Sequence, residues 1–244
     1  MDTNEALSAK SLTLIAHKLR TPLSIINGYS EAILSQADKE QFSAFSAKAL
    51  EEIHKQGGRL SVLLDKLLAF NQVQTADTDT LEKQPVCLKP LIKECAANAI
   101  AQSAAARTAA LSGKEKQGTF IEIDCSSVLT LQANAGMLKL CLMELLENAI
   151  KFNNKKEKIV KVQAANHGDS ISVAVRDYGV GIRPQDVSKI FEPFYQVDDY
   201  FTGQVNGWGL GLTMVQRELD LHRGSISVVS DRGLGSIFTL SFPL

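Results

Sequence analysis

The chain has 244 residues, of which 45% are hydrophobic, and its formal net charge at pH 7 is −1. This length suits one large domain or two ordinary ones, and the near-neutral charge excludes a general electrostatic attraction to nucleic acid or to a membrane surface. No apolar run approaches the about 20 residues of a membrane span or the about 7–15 of a signal peptide. The four cysteines show no CxxC spacing, which indicates reduced, mostly buried thiols and a cytoplasmic location.

Two long amphipathic helices are predicted first. One runs from Ala6 to about Ser35, and after a polar break at 36–41 a second runs from about Phe42 to Gln72. Apolar residues recur at alternating spacings of three and four, the heptad seam of a bundle helix, although Gly57 and Gly58 are expected to loosen the second helix. The seams comprise Leu12, Ile15, Leu19, Pro22, Ile26, Tyr29 and Ile33 in the first helix, and Phe42, Ala49, Ile53, Leu60, Leu63, Leu67 and Phe70 in the second.

A single hairpin of two such helices leaves its apolar stripe half covered. Pairing two hairpins into a four-helix bundle would bury the stripe. We therefore predict that residues 1–75 form a homodimer through the N-terminal helices.

The segment HKLRTP places a histidine on the outer side of the first helix. If Leu12 and Leu19 are successive a positions, His17 falls at f and points to solvent. It is then either an ordinary surface residue or an exposed nucleophile, because an imidazole with a pKa near 6.5 is mostly neutral at pH 7. Arg20 at i+3 could stabilise phosphate, and Thr21 at i+4 could hold a water beside the ring.

A polar stretch without periodicity, residues 74–83, marks the predicted boundary to a second domain at 84–244. A short strand entering a helix is expected at 85–91, and this alanine-rich helix should continue to about Ala110. Strands and helices then mix without βαβ alternation, so the predicted fold is an α+β sandwich with helices on one face of a mixed sheet. Strands are predicted at 120–124, 129–131, 159–165, 170–177, 224–229 and 236–242, and a charged loop at 112–118.

The stretch MELLENAIKF, residues 143–152, is predicted to be a helix with its polar groups on one face. Glu144 and Asn148 lie one turn apart, and Lys151 follows about one turn later. Carboxylate and carboxamide oxygens are hard ligands suited to Mg²⁺, and the lysine is placed to meet phosphate. The same pattern also fits an ordinary half-exposed helix.

Two glycine-bearing stretches follow. DYGVGI ends the strand predicted at 170–177, and its Asp177 could accept a hydrogen bond from an exocyclic amine such as that of adenine. GWGLGL precedes a helix predicted at 213–221, where glycines let backbone N–H groups approach phosphate. Either stretch could equally be a turn, since neither carries the GK[ST] of a P-loop or opens a βαβ unit. The glycines are Gly179 and Gly181 in the first stretch and Gly207, Gly209 and Gly211 in the second.

The motifs HKLRTP, ELLENAIKF, DYGVGI, FEPF and GWGLGL occur in this order, and together they resemble those of the sensor histidine kinases of two-component signalling. Residues 6–73 resemble the dimerisation and histidine phosphotransfer domain, and residues 84–244 the catalytic ATP-binding domain, which is similar to those of gyrase, Hsp90 and MutL. The resemblance implies a kinase that uses ATP and Mg²⁺ to phosphorylate its own histidine. It also implies a response-regulator receiver domain as partner, whose aspartate receives the phosphoryl group.

The resemblance further implies a role for each matching residue. His17 would be the phosphoacceptor, and Thr21 would position water for a reverse, phosphatase reaction. Asn148 would bind Mg²⁺ with Glu144 beside the metal or its waters, and Lys151 would contact phosphate.

The remaining nucleotide-binding residues fall into three groups under this resemblance. The group at the adenine comprises Asp177, Gly179 and Gly181. Phe191 and Phe194 would anchor a mobile lid that runs to about Asn206. The group beside the phosphates comprises Gly207, Gly209 and Gly211.

One departure from the family's pattern is Lys18, which follows the histidine where the family usually has Glu or Asp. That acid accepts or orients the proton on the second ring nitrogen, and general-base assistance is typically worth about 10²–10⁴-fold. Although Lys18 could attract the γ-phosphate, we expect a slow kinase. The substitution Lys18→Glu should therefore raise the autophosphorylation rate. A rate that does not rise would contradict this hypothesis.

A second departure lies in the lid, where Gln196 stands in place of a frequent cation. The lid is acidic, with two cations against four acids between Ile182 and Asn206. Most phosphate-facing charge is therefore expected from Mg²⁺ and from Lys151, Lys155, Lys156 and Lys158. Two alternatives to a kinase stay open: a nucleotide-binding pseudokinase scaffold, which Lys18 and the acidic lid favour, and an ATPase of the gyrase or Hsp90 type. The chain could be the cytoplasmic part of a longer sensor or a kinase that receives its signal from a partner.

Overall fold

The computed structural model describes residues 9–34, 44–110, 118–197 and 207–244. The predicted break at 36–41, the charged loop at 112–117 and residues 198–206 of the predicted lid lie outside these residues. So do the side chains of several helical residues, among them Leu12, His17 and Lys18. The chain divides into two compact units, residues 1–75 and 76–244.

The first unit contains α1 (Ala9–Leu34) and α2 (Ala44–Thr75), which pack against each other. The predicted seam lies at this contact, since Pro22, Ala49, Leu63 and Phe70 are buried. Helix α2 continues through the two glycines and ends three residues beyond the predicted Gln72. Residues 74 and 75 therefore belong to the helix and not to the linker.

The second unit is built on a five-stranded mixed sheet in the order β2–β4–β5–β7–β6, in which only β2 and β4 pair in parallel. A separate antiparallel pair joins β1 to β3, with Val86 opposite Leu131. The elements are β1 (Gln84–Cys87), α3 (Leu88–Ala110), β2 (Thr119–Cys125), β3 (Thr130–Ala133), α4 (Ala135–Lys151), β4 (Lys158–Asn166), β5 (Ser170–Asp177), α5 (Pro184–Val187), α6 (Gly211–Leu221), β6 (Ser225–Asp231) and β7 (Gly235–Pro243).

Helices α3, α4 and α6 cover one face of this sheet. Alternate residues of the strands, such as Val160, Val162 and Val173, point into the core beneath them, whereas Lys161 and Arg176 on the opposite face are exposed. This alternation follows from the two-residue period of a strand. The predicted α+β fold, with a helical hairpin followed by a mixed sheet and helices, is confirmed.

Two details of the second unit differ from the prediction. The short helix α5 was not predicted, and α6 begins at Gly211, two residues before the predicted Thr213. Both differences concern Gly- and Pro-rich sequence, where local propensity favours loops. Among the described residues, no helix has the length and hydrophobicity needed to cross a membrane.

Candidate functional site

Helix α4 presents its polar groups along one side because its other side forms the core. Residues such as Leu142, Leu145 and Leu146 are fully buried, while Glu144 and Asn148 are half exposed. The helix is fixed at both ends. The Asn134 side chain accepts a hydrogen bond from the backbone N–H of Met137 at 3.1 Å, and Lys158 Nζ donates to the Ile150 carbonyl at 2.8 Å.

The GWGLGL stretch lies directly against this polar side of α4. A Cβ added at Gly211 would collide with the carboxylate of Glu144, and one added at Gly207 would collide with the amine of Lys151. Gly211 is also the first residue of α6, where the initial N–H groups of a helix have no partner within it. The structure thus brings the acid, the lysine and a helix N-terminus to one place, a combination that suits a phosphate and its counter-ion.

The DYGVGI stretch packs on the C-terminal end of α4. The N–H of Val180 donates to the Phe152 carbonyl at 3.1 Å, and a Cβ at Gly179 would collide with that same carbonyl. Asp177 is buried, with 6% of its surface exposed, and its Oδ1 accepts the N–H of Gly179 at 2.8 Å. Burial raises the pKa of Asp177, and hydrogen bonds from the backbone of Gly179 and Ser236 partly offset this rise.

The turn between β6 and β7 closes onto the same stretch. Gly181 has φ +67°, and a Cβ there would collide with the carbonyl of Asp231. Gly235 has φ +96°, and a Cβ there would collide with the carbonyl of Asp177. Because both neighbours are backbone, no side-chain movement could make room for a larger residue at either position.

The two described ends of the predicted lid are tied to each other. The N–H of Phe194 donates to the Gly209 carbonyl at 2.6 Å, and Gln196 Nε2 donates to the Gly207 carbonyl at 2.6 Å. Phe194 is buried, whereas Phe191 is half buried and its carbonyl accepts the Thr213 hydroxyl at 2.8 Å.

The lysines predicted to face phosphate divide among different surroundings. Lys151 Nζ lies 4.7 Å from the centre of the Phe152 ring, and Lys155 Nζ lies 5.8 Å from that of Tyr178. Lys158 contacts the end of α4, as described above. Lys151 lies at the glycine stretch, where its Nζ occupies the space that a Cβ at Gly207 would need.

Buried polar residues of this region, Asn153 and Asp186, were not predicted from the sequence. Asn153, which is 1% exposed, accepts the N–H of Lys155 at 3.1 Å and so shapes the loop after α4. Asp186 accepts hydrogen bonds from Arg183 and Tyr195. The i, i+3 spacing of Arg183 and Asp186 was a signal for this contact.

Glu218 is another residue that the sequence reasoning missed. Its carboxyl lies between α6 and α4, is 1% exposed, and accepts the Cys141 thiol at 2.7 Å through Oε2. Among the described residues, Oε1 has no hydrogen-bond partner. Burial, with a contribution from Glu144, raises the pKa of Glu218 to about 8. An acid within the apolar stripe of α6, beside Val215 and Leu219, was the available signal.

The oxygen donors of Asn148 and Glu144 fit a magnesium ion that also binds phosphates and water better than a metal site made only of protein ligands. Among the described residues, no three His, Cys, Asp or Glu side chains are grouped to hold a metal ion. Magnesium bound with phosphates commonly uses only one or two protein oxygens and keeps several waters. Asn148 with Glu144 could supply such oxygens.

On the first unit, the structure describes only part of the predicted site. His17 and Lys18 lie in α1, but their side chains are outside the described residues. Thr21 is exposed on the same helix.

Two protein-family models match the chain. The His Kinase A (phospho-acceptor) domain matches residues 9–76, and the histidine kinase-, DNA gyrase B- and HSP90-like ATPase matches residues 133–244. The chain is 30% identical over 229 residues to the phosphate regulon sensor protein PhoR of Pseudomonas aeruginosa, covering 93% of the chain and 48% of PhoR. It is 28% identical over 248 residues to the non-motile and phage-resistance protein of Caulobacter vibrioides, covering 98% of the chain and 28% of that protein.

Solved structures agree with these matches. Full-length ShkA in complex with AMPPNP has a TM-score of 0.64 at 26% identity, covering 96% of this chain and 45% of ShkA. The histidine kinase ThkA in complex with the response regulator protein TrrA has a TM-score of 0.69 at 22% identity, covering 96% of this chain and 61% of that one. The chain thus spans about half the length, or less, of the curated relatives named above. With a phosphoacceptor and dimerisation domain followed by an ATP-binding domain, it belongs to the sensor histidine kinases of two-component signalling.

Proposed function

We propose that this chain is the catalytic core of a protein-histidine kinase that uses MgATP to phosphorylate His17. The observation that carries the proposal is the meeting of α4 with the GWGLGL stretch, where Glu144 abuts Gly211 and Lys151 abuts Gly207. We place the boundary between the two functional domains at residues 76–83.

The proposed site binds adenine at one end and phosphates at the other. Asp177 accepts the adenine amino group beside Gly179 and Gly181, and its burial makes this hydrogen bond selective because little water competes. The phosphates lie along Gly207, Gly209 and Gly211 at the N-terminus of α6, where backbone N–H groups and the helix dipole favour negative charge.

Lys151 and Asn148 complete the phosphate end. Asn148 holds Mg²⁺, with Glu144 orienting its waters, and Lys151 adds positive charge to the same place. Bound Mg²⁺ supplies charge neutralisation on the phosphate oxygens. Phe191 and Phe194 anchor the lid whose described ends are joined through Gly207 and Gly209.

In the reaction, a neutral nitrogen of His17 attacks the γ-phosphorus of ATP. A phosphorus–nitrogen bond forms as the bond to the bridging oxygen breaks, ADP leaves, and the second ring nitrogen gives its proton to water. Catalysis consists mainly of positioning and charge neutralisation. The expectation that Lys18 makes this step slow stays a prediction.

We also propose two protein partners. The first is a second copy of the chain, because large apolar side chains of the helical unit are exposed in one copy: Leu23, Leu50, Val62, Leu64 and Leu68. The second is a receiver domain whose aspartate takes the phosphoryl group, as the complex of the similar ThkA with TrrA suggests. Thr21, exposed on α1, would hold the water for the reverse, phosphatase reaction.

The kinase is tested by incubating the full chain with Mg²⁺ and ATP labelled at the γ-phosphate. We expect an acid-labile, base-stable label on the protein, as a phosphorus–nitrogen bond requires, and its complete loss in His17→Ala. His54→Ala is the matched control, because His54 is an exposed histidine on α2, and it should label like the wild type.

Label that persists in His17→Ala would contradict the assignment of the acceptor. Nucleotide binding without any label in the wild type would support the pseudokinase scaffold instead.

A further inference from the structure

Phe194 has a backbone conformation that a non-glycine residue rarely adopts. Its φ is 65°, in the left-handed region, although 95% of its surface is buried and its side chain is large. Such a conformation is costly and persists only where the surrounding structure holds it. The contacts on either side of Phe194 therefore show what holds it.

On one side of Phe194, the next residue, Tyr195, is hydrogen-bonded to the buried carboxylate of Asp186. Tyr195 donates its hydroxyl to Asp186 Oδ1 at 2.7 Å, and Arg183 Nε donates to Asp186 Oδ2 at 2.6 Å. We call Arg183, Asp186 and Tyr195 the Asp186 cluster. The cluster is itself fixed to the sheet, because the N–H of Ile182 donates to Ser230 Oγ on β6 at 2.8 Å.

On the other side, the left-handed turn at Phe194 contacts the glycine stretch 207–211. The N–H of Phe194 donates to the Gly209 carbonyl. A Cβ at Gly209 would lie 2.6 Å from the carbonyl carbon of Phe194 and 2.6 Å from the Tyr195 carbonyl oxygen. The segments at Phe194 and Gly209 therefore contact each other through backbone atoms. A change in the turn at Phe194 must then be transmitted to Gly209.

We propose that Asp186 and Tyr195 are positioning residues for the nucleotide site, because their hydrogen bond holds the left-handed turn at Phe194 on which the glycine stretch 207–211 rests. The inference rests on the proposed function for its ligand, a nucleoside triphosphate. It adds residues that touch neither nucleotide nor metal and that act through the backbone of Phe194 and Gly209.

The charge on Asp186 strengthens the cluster. Hydrogen bonds from Arg183 and then Tyr195 hold the pKa of Asp186 below its usual range, and Lys189 contributes in the same direction. The carboxyl is therefore ionised at neutral pH, where a charged acceptor forms a stronger hydrogen bond than a neutral one.

The test uses Tyr195→Phe, which removes only the hydroxyl, and Asp186→Asn, which removes the charge. The readouts are the Kd for ATP without Mg²⁺ and the acrylamide quenching of Trp208 without any nucleotide. Trp208 is the single tryptophan of the chain and lies between Gly207 and Gly209, so its quenching reports directly on the glycine stretch.

We expect Tyr195→Phe to weaken ATP binding about tenfold, the effect of losing one hydrogen bond to a charged group, and to make Trp208 more accessible to acrylamide. Asp186→Asn should do the same, because its amide oxygen is a weaker acceptor than the carboxylate. The double variant should be little worse than either single variant, because both changes act on the same hydrogen bond. Gln185→Ala, which removes an exposed carboxamide on the same segment, is the control and should match the wild type in both readouts.

Unchanged ATP affinity in Tyr195→Phe and Asp186→Asn would overturn the inference, and so would additive effects in the double variant. Loss of affinity that follows a general loss of helix content by circular dichroism, with Trp208 quenching unchanged, would also overturn it. If the wild type binds no ATP, the proposed function fails, and the quenching comparison alone then decides whether the cluster holds the glycine stretch.

Discussion

The substitution Asn148→Ala should lower the initial rate of ATP-dependent labelling of His17 by about 10³-fold. Asn148 lies on the half-exposed side of α4, one turn from Glu144 and three residues before Lys151. A catalytic metal supplies several kcal/mol of charge stabilisation, and each 1.4 kcal/mol corresponds to a tenfold rate. Loss of its principal ligand should therefore remove most of the catalysis.

The rate is measured over a range of Mg²⁺ concentrations, and the half-saturating concentration should rise in Asn148→Ala. Asn154→Ala is the matched control, because Asn154 is an exposed asparagine in the loop after the same helix, and it should behave like the wild type. A rate within tenfold of the wild type in Asn148→Ala would show that Mg²⁺ is held by other residues.

The stability of the second unit is expected to fall as pH rises from about 5 to 8. Burial raises the pKa of Glu218 from its ordinary 4.5 to about 8, so between these values the folded state holds a proton that the unfolded state has lost. Folding then takes up one proton, and the free energy of unfolding should decrease by about 1.4 kcal/mol per pH unit. Above pH 8 this contribution levels off.

Urea unfolding followed by Trp208 fluorescence measures this dependence, since Trp208 lies in the second unit. In Glu218→Gln, which stays uncharged at every pH, most of the slope should disappear. Glu157→Gln removes an exposed carboxylate in the same unit and should retain the slope. A wild-type stability that does not fall between pH 5 and 8 would mean that Glu218 is ionised in the folded protein.

The protonated state of Glu218 also explains why the neutral substitution Glu218→Gln should be tolerated. A buried charge without a partner is destabilising, whereas a protonated acid that accepts the Cys141 thiol is neutral. Burial and the neighbouring Glu218 also raise the pKa of Cys141 well above its ordinary value, so the thiol remains protonated. The pair is therefore a neutral hydrogen-bonded contact between α4 and α6.

Sequence patterns predicted the fold class and the family because both depend on local signals. The period of the apolar residues located α4 and its polar side, and the ordered motifs identified the family, which the domain matches confirm. The site residues remain predictions, although the structure places Glu144, Lys151 and the glycine stretch together.

The features that were missed either are too short to show a pattern or depend on contacts between segments that are apart in the sequence. Helix α5 is too short for a periodic signal, and Tyr195 bonds to Asp186 only because the chain turns at Phe194. Glu218 lies on an apolar stripe, but the partner that makes its burial acceptable, Cys141, is on another helix. Neither partnership is visible in local propensity or spacing.

The close backbone contacts at Gly181 and Gly235 connect the hairpin of β6 and β7 to the stretch that begins at Asp177. The hairpin of β6 and β7 is not merely an outer edge of the sheet, because its turn touches the strand end that carries Asp177. In the proposed site, the C-terminal hairpin therefore forms the back wall of the adenine pocket. Truncation or proteolytic clipping within it would cost the protein its base recognition even if every residue that touches the nucleotide were retained.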